Sequence, residues 1–165
     1  MATGGADMAD EIPARAILVP VDFSPNSEQA LVFAAELATR IDAPLAVLHV
    51  VHDPAEAPGY YAQRDPDHLG RMDDIAAEMM QEFLQRMIDA HPGLDILRQA
   101  HPRLVSGLPV TRILEAAKKI NPYMVVMGSR GRTGLSHLLL GSKAEQVVRL
   151  CPAPVTIVKM PNRDE

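Results

Sequence analysis

The chain has 165 residues, 47% apolar and 22% charged, with 16 basic against 21 acidic residues for a net charge of −5. That size suits one domain with a sizeable core, and an acidic chain with no Lys/Arg cluster outside one glycine-rich loop is unsuited to non-specific nucleic-acid binding. One cysteine, Cys151, excludes an internal disulfide; no stretch nears the ~18 apolar residues of a membrane span, and the start, MATGGADMADE, lacks the basic and apolar regions of a secretory signal, so a cytoplasmic protein without membrane partners is expected.

Residues 1–12 are small and acidic and are expected to form a disordered lead, with a single domain over 13–160 and a frayed end at 161–165. Ala16–Val21 (AILVPV) has the apolar run of a central parallel strand, and Pro20, which cannot donate to a ladder, belongs at its carboxyl end. Ser24 is an N-cap with Pro25 at the first helical position, and Ala30, Leu31, Ala34, Leu37, Ala38 and Ile41 recur at helical spacing. Asp22 lies between strand and helix, at the edge where open α/β sheets bind ligands. It is placed to meet a ribose, to reach a phosphate-bound metal through water, or to act as a second capping carboxylate.

Leu45–Val51 is the second strand, and its one polar residue, His49, reads as a satisfied core histidine. His52 and Asp53 follow without a third ligand at metal spacing, so no zinc site is assigned. Residues 52–70 are a long polar crossover with three prolines, in which Tyr60 and Tyr61 can either cover a ligand or simply cross. The second helix runs from about Arg71 to Ala90, with Met72, Met79, Met80 and Met87 as core fillers and His91-Pro92-Gly93 as its stop. The third strand falls within 97–106, where Pro102 marks a sheet edge. Gly107-Leu108-Pro109 opens a helix that ends near Ile120; Met124–Met127 is the fourth strand, residues 143–150 the fourth helix and Val155–Val158 the fifth strand. This alternation makes a parallel sheet with helices on both faces.

Glycines punctuate the passage from the fourth strand to the fourth helix: Gly128, two residues, Gly131, nine residues, Gly141, then Ser142. Ser142 to Glu145 has the form of a capping box, so Ser142 is expected as the N-cap. A strand, a glycine loop and a helix N-terminus gather backbone N–H groups as phosphate sites do. The same glycines also suit plain turns. The Gly-Lys-Ser/Thr ending of a Walker loop is absent.

The segment MGSRGRTGLSHLLLGS resembles the ATP-binding signature of the universal stress protein family, and ILVPVDFSPNSEQAL, PLAVLHVV and CPAPVTIVK extend the resemblance over nearly the whole chain. The resemblance implies a three-layer α/β/α, Rossmann-like fold with a five-stranded parallel sheet in the order 3-2-1-4-5, whereas periodicity alone leaves the flavodoxin-like order 2-1-3-4-5 open. It implies ATP, accompanied by Mg²⁺, held by the amides of Gly128, Gly131, Gly141 and Ser142. The resemblance further assigns Pro20, Val21, Leu45 and Met127 to the base-side wall and implies an adenine edge at Leu45. Arg130 and Arg132 can either add charge at the phosphates or stay solvated as loop arginines, and Lys143 is a further candidate to reach phosphate. Lys143 and Tyr123 depart from the family's usual residues at their positions.

The uncharged apolar strand Val155–Val158 at a sheet edge invites pairing with its own copy, and the resemblance likewise implies a homodimer. The implied function is a nucleotide-dependent stress-response switch with slow or no hydrolysis and no assigned catalytic residue. An empty-site interaction protein of the family and a nucleotidyl-transfer or ATP-hydrolysing enzyme on the same fold are the alternatives. The transferase lacks its SGG or HxGH motif. A response-regulator receiver would need acidic residues where Phe23 and Ser106 stand.

Overall fold

The computed structural model describes residues 12–52, 59–61, 71–130 and 140–160. The elements are β1 (Ile17–Pro20), α1 (Pro25–Ile41), β2 (Leu45–Val51), α2 (Met72–Ala90), a 3-10 turn (Asp95–Gln99), β3 (His101–Ser106), α3 (Pro109–Ile120), β4 (Met124–Gly128), α4 (Ser142–Leu150) and β5 (Val155–Val158). All strand pairs are parallel, in the order β3-β2-β1-β4-β5. The flavodoxin-like order is thereby excluded.

Alternation along the buried strands divides the core in two. Ile17, Val19, Leu45, Val47 and Val126 face α1 and α2, whose Ala34, Leu31, Met80 and Phe83 pack on them. Leu18, Ala46, Leu48, Val125 and Met127 face α3 and α4, meeting Ile113, Ala116 and Val147. Met79, Met80 and Met87 fill the core as their helical spacing requires, but Met72, at the start of α2, is exposed. Ile12, the last residue of the expected lead, is only 4% exposed and joins the second cluster; residues 1–11 and 161–165 lie outside the described residues. Among the described residues no helix is long and apolar enough to cross a membrane.

The ladders explain why the sheet opens where it does. Ile17 N–H bonds to the Pro44 carbonyl and Val21 N–H to the Leu48 carbonyl, both at 2.8 Å, so odd-numbered residues of β1 turn their backbone groups to β2. Even-numbered ones turn to β4, where the Ala16 carbonyl accepts from Tyr123 N–H at 2.9 Å. Pro20 is the even-numbered residue at the strand's end, and it has no N–H to give. The β1–β4 register is accordingly two pairs, Ile17 with Met124 and Leu18 with Val125, while β1–β2 has four. By the same alternation Gly107 N–H reaches the Val51 carbonyl, which leaves Pro102 facing the open side of edge strand β3.

Gly128 closes α1 onto β4. A Cβ there would lie 2.9 Å from both the Cβ and the carbonyl oxygen of Asn26, in the first turn of α1, and 3.0 Å from its carbonyl carbon. Since backbone cannot swing aside, Gly128→Ala should lower the unfolding free energy by about 1–3 kcal/mol. A fall in the urea midpoint with an unchanged slope is the expected reading.

Candidate functional site

At the carboxyl ends of β1, β2 and β4 lies a crevice of about 170 Å³. Its β1 side is Pro20, Val21 and Asp22; Met127, Gly128 and Arg130 continue from β4, and Gly141, Ser142, Lys143 and Ala144 come from the start of α4. Nine of the expected residues thus meet at one place; Leu45 is not among them, and Gly131 and Arg132 lie outside the described residues.

Leu45 does not join them. It begins β2 opposite Ile17, at the amino end of the sheet, and its side chain is fully buried in the first core cluster. The wall from β2 is instead made by Leu48, His49, Val50 and His52, at the end of the strand. A parallel strand brings its carboxyl end to the ligand edge, so the residue numbers alone carried that signal. Pro109 and Ile113 of α3 and Ser27 of α1 also line the crevice, and no local motif distinguishes them.

Asp22 is held by the start of α1. Its Oδ1 accepts from the Ser24 N–H at 3.1 Å and from the Ser27 hydroxyl at 2.6 Å, while its own N–H donates to Ser27 Oγ at 2.9 Å. Ser24 caps the helix, accepting from Ser27 N–H, with Pro25 next in line. The carboxylate therefore both caps and lines the crevice. Among the described residues Oδ2 takes no hydrogen bond.

Between them Phe23 adopts a left-handed backbone, φ 65°, which is unusual for an aromatic residue and marks local strain. Its ring packs against His49, 4.2 Å between centroids and tilted by 31°, and also tilts against Phe83 of α2. His49 is 1% exposed, and both ring nitrogens are bonded. Nδ1 donates to the Val21 carbonyl at 2.8 Å, and Nε2 lies 2.8 Å from the hydroxyl of buried Tyr61. His49 is thus the satisfied core histidine its surroundings imply, and Tyr61 is a packed residue of the crossover. Residues 53–58 and 62–70 are outside the described residues.

The N-terminus of α4 differs from the capping box. Gly141 is the N-cap and Ser142 the first helical residue, with no side-chain cap bond. Glu145 N–H bonds to the Gly141 carbonyl at 2.9 Å, and Gly141 N–H to the Ser129 carbonyl at 2.7 Å. Glycine is itself an acceptable N-cap, and one residue of shift moves Ser142 into the first turn, where it lines the crevice. Lys143, second in the helix, carries a cation at the end the macrodipole makes positive and, like Arg130, lines the crevice. Among the described residues no group of three or more His, Cys, Asp or Glu is gathered for a metal.

The chain is a doubly wound parallel α/β domain with its crevice at the switch point between β1 and β4, the place where such sheets bind ligands. The sequence model of the universal stress protein family matches residues 13–159, and the chain belongs to that family. Universal stress protein YxiE of Bacillus subtilis is 32% identical over 87% of this chain and 97% of its own length. A universal stress protein of Methanocaldococcus jannaschii is 30% identical over 90% of this chain and 84% of its own. Among solved structures, UspA from Lactobacillus plantarum superposes with a TM-score of 0.69 at 26% identity, covering 88% of this chain and 98% of that one. The same fold occurs in a universal stress protein in complex with cAMP (TM-score 0.58, 20% identity, 87% of this chain and 96% of that one). It recurs in one from Archaeoglobus fulgidus in complex with dAMP (TM-score 0.57, 22% identity, 90% and 98%).

The Ser27 hydroxyl is the shortest bond to Asp22, and a bond to an ionised group is worth about 1.5–3 kcal/mol. Ser27→Ala should lose stability of that order in urea denaturation at neutral pH. A loss below about 0.5 kcal/mol would mean that Asp22 is held chiefly by the Ser24 amide.

Proposed function

We propose that this chain binds ATP with Mg²⁺ in the crevice and works as a cytoplasmic, nucleotide-dependent stress-response switch. The observation that carries the reading is the polarity of the crevice. Its lining combines the α4 N-terminus, Lys143 and Arg130 with the apolar side chains of Leu48, Val50, Ile113 and Met127. An anionic tail on an apolar ring system matches both kinds of lining, and the helix dipole adds about 0.3–1 kcal/mol of attraction for the tail. The relatives bound to cAMP and dAMP support a nucleotide as the ligand class.

Phosphate would be held by the amides of Gly141 and Ser142 and the glycine loop, with Lys143 and Arg130 supplying charge. Mg²⁺ keeps most of its water and takes one or two carboxylates plus phosphate oxygens. Asp22, the one carboxylate lining the crevice among the described residues, fits that role through Oδ2, directly or through water. With Oδ1 occupied by two donors, Asp22 is better suited to holding charge than to activating water, which favours slow hydrolysis or none.

Val21 contributes wall rather than hydrogen bonds. Its side chain enters the first core cluster, its N–H is spent on Leu48 and its carbonyl accepts from His49. The homodimer is proposed through β5, which ends the sheet order with half-buried Val155–Val158 along its open side. A second copy paired there would cover it.

Mass spectrometry of small molecules released on denaturing the purified protein tests the ligand. ATP is expected at up to one per chain, with Mg-ATP titration of the stripped protein giving saturable heat. No released nucleotide together with no heat would leave an empty-site interaction protein.

A further inference from the structure

We infer that His49 is a positioning residue, which turns the Val21–Asp22 peptide away from the β1–β2 ladder and so aims the Asp22 carboxylate into the crevice. The inference rests on the nucleotide reading above and deepens it by naming what holds the proposed Mg²⁺ carboxylate in place. In a regular parallel ladder the Val21 N–H on the Leu48 carbonyl, present at 2.8 Å, would be followed by the Val50 N–H on the Val21 carbonyl. The register ends before that rung, at Pro20 with Leu48. The Val21 carbonyl instead accepts from the side chain of His49, with Nδ1 at 2.8 Å. Pro20 thus parts β1 from β4, and His49 parts it from β2 one residue later.

One peptide unit is clamped at both ends. Its carbonyl, from Val21, is held by His49 of β2, and its N–H, from Asp22, donates to Ser27 Oγ of α1 at 2.9 Å. Together these bonds fix the plane of the peptide, and with it the direction in which the Asp22 side chain leaves the backbone. Ser24 and Ser27 then take Oδ1, and Oδ2 accepts no hydrogen bond among the described residues. The His49 ring is itself fixed. A carbonyl only accepts, so Nδ1 carries the proton, and Nε2 is an acceptor that the Tyr61 hydroxyl fills at 2.8 Å. Phe23, the residue after Asp22, packs against the same ring. An apolar residue would fill this space equally well, but it would leave the Val21 carbonyl free to take the Val50 N–H.

The test is calorimetric titration of the stripped full chain with ATP, in Mg²⁺ and in EDTA, on wild type, His49→Phe and His49→Asn. Phenylalanine keeps a ring but gives no donor; the asparagine amide nitrogen, placed like Nδ1 relative to Cβ, restores one. Wild type should bind ATP more tightly in Mg²⁺ than in EDTA. His49→Phe should lose most of that gain, about tenfold for one hydrogen bond, with binding in EDTA little changed, and His49→Asn should recover it. No gain from Mg²⁺ in wild type, or equal losses in Mg²⁺ and EDTA with no recovery in His49→Asn, would overturn the inference while ATP binding stands. If wild type binds no ATP, the nucleotide reading falls instead. In that case, or if His49→Phe does not fold, histidine ¹⁵N–¹H correlation spectra of wild type judge the clamp. A neutral His49 protonated on Nδ1 supports it, and a ring protonated on Nε2 overturns it.

Discussion

The constraint on which the site depends is the early parting of β1 from β4. Two residue pairs join them, and then Pro20 arrives on the side where a donor would be needed. Continuous pairing would have sealed the switch point with hydrogen bonds. Instead β4 continues beside β5 as far as Gly128, β1 turns off at Val21, and the gap between them is the crevice. Gly128 acts at the same place by a different means. It lets the first turn of α1 lie against β4, which brings the cap residues Ser24 and Ser27, and with them Asp22, to the crevice wall.

Around that gap the polar groups are tied down in sequence. Ser27 and the Ser24 amide hold one oxygen of Asp22; the strained Phe23 turns its ring onto His49; His49 bridges the Val21 carbonyl and Tyr61. The backbone strain at Phe23 is sustained because the ring is packed on both His49 and Phe83. The result is a preformed floor in a crevice whose lining includes the cations Arg130 and Lys143. Such a floor can bind without large rearrangement, which lowers the ordering cost a ligand must overcome.

Much of this is legible in the residues themselves. The strand and helix order follows from periodicity, and Ser24-Pro25 and Pro20 announce their positions because capping and the missing N–H are local properties. The places where sequence falls short are those set by chain direction or distant contact. Leu45 and Val50 belong to one apolar run, and only the end of the strand that meets the crevice separates them. Gly141 and Ser142 are both able caps, so a one-residue ambiguity was built into the local chemistry. The His49–Tyr61 bond joins residues twelve apart in sequence across a turn and leaves no pattern to read. Gly128 suggests a phosphate cradle, yet its firmest requirement is the backbone of Asn26. Strand order came from family resemblance and not from periodicity, since both doubly wound orders bury the same runs.

The claim that the opening between β1 and β4 is where this protein meets its ligand is tested most directly by amide NMR during titration with Mg-ATP. Saturable shifts should concentrate at Asp22, Val50, Gly128, Ser142 and Lys143 and be small along β3 and at the amino ends of the strands, including Leu45. Saturable shifts centred away from the carboxyl edge, with those five amides unmoved, would contradict the account.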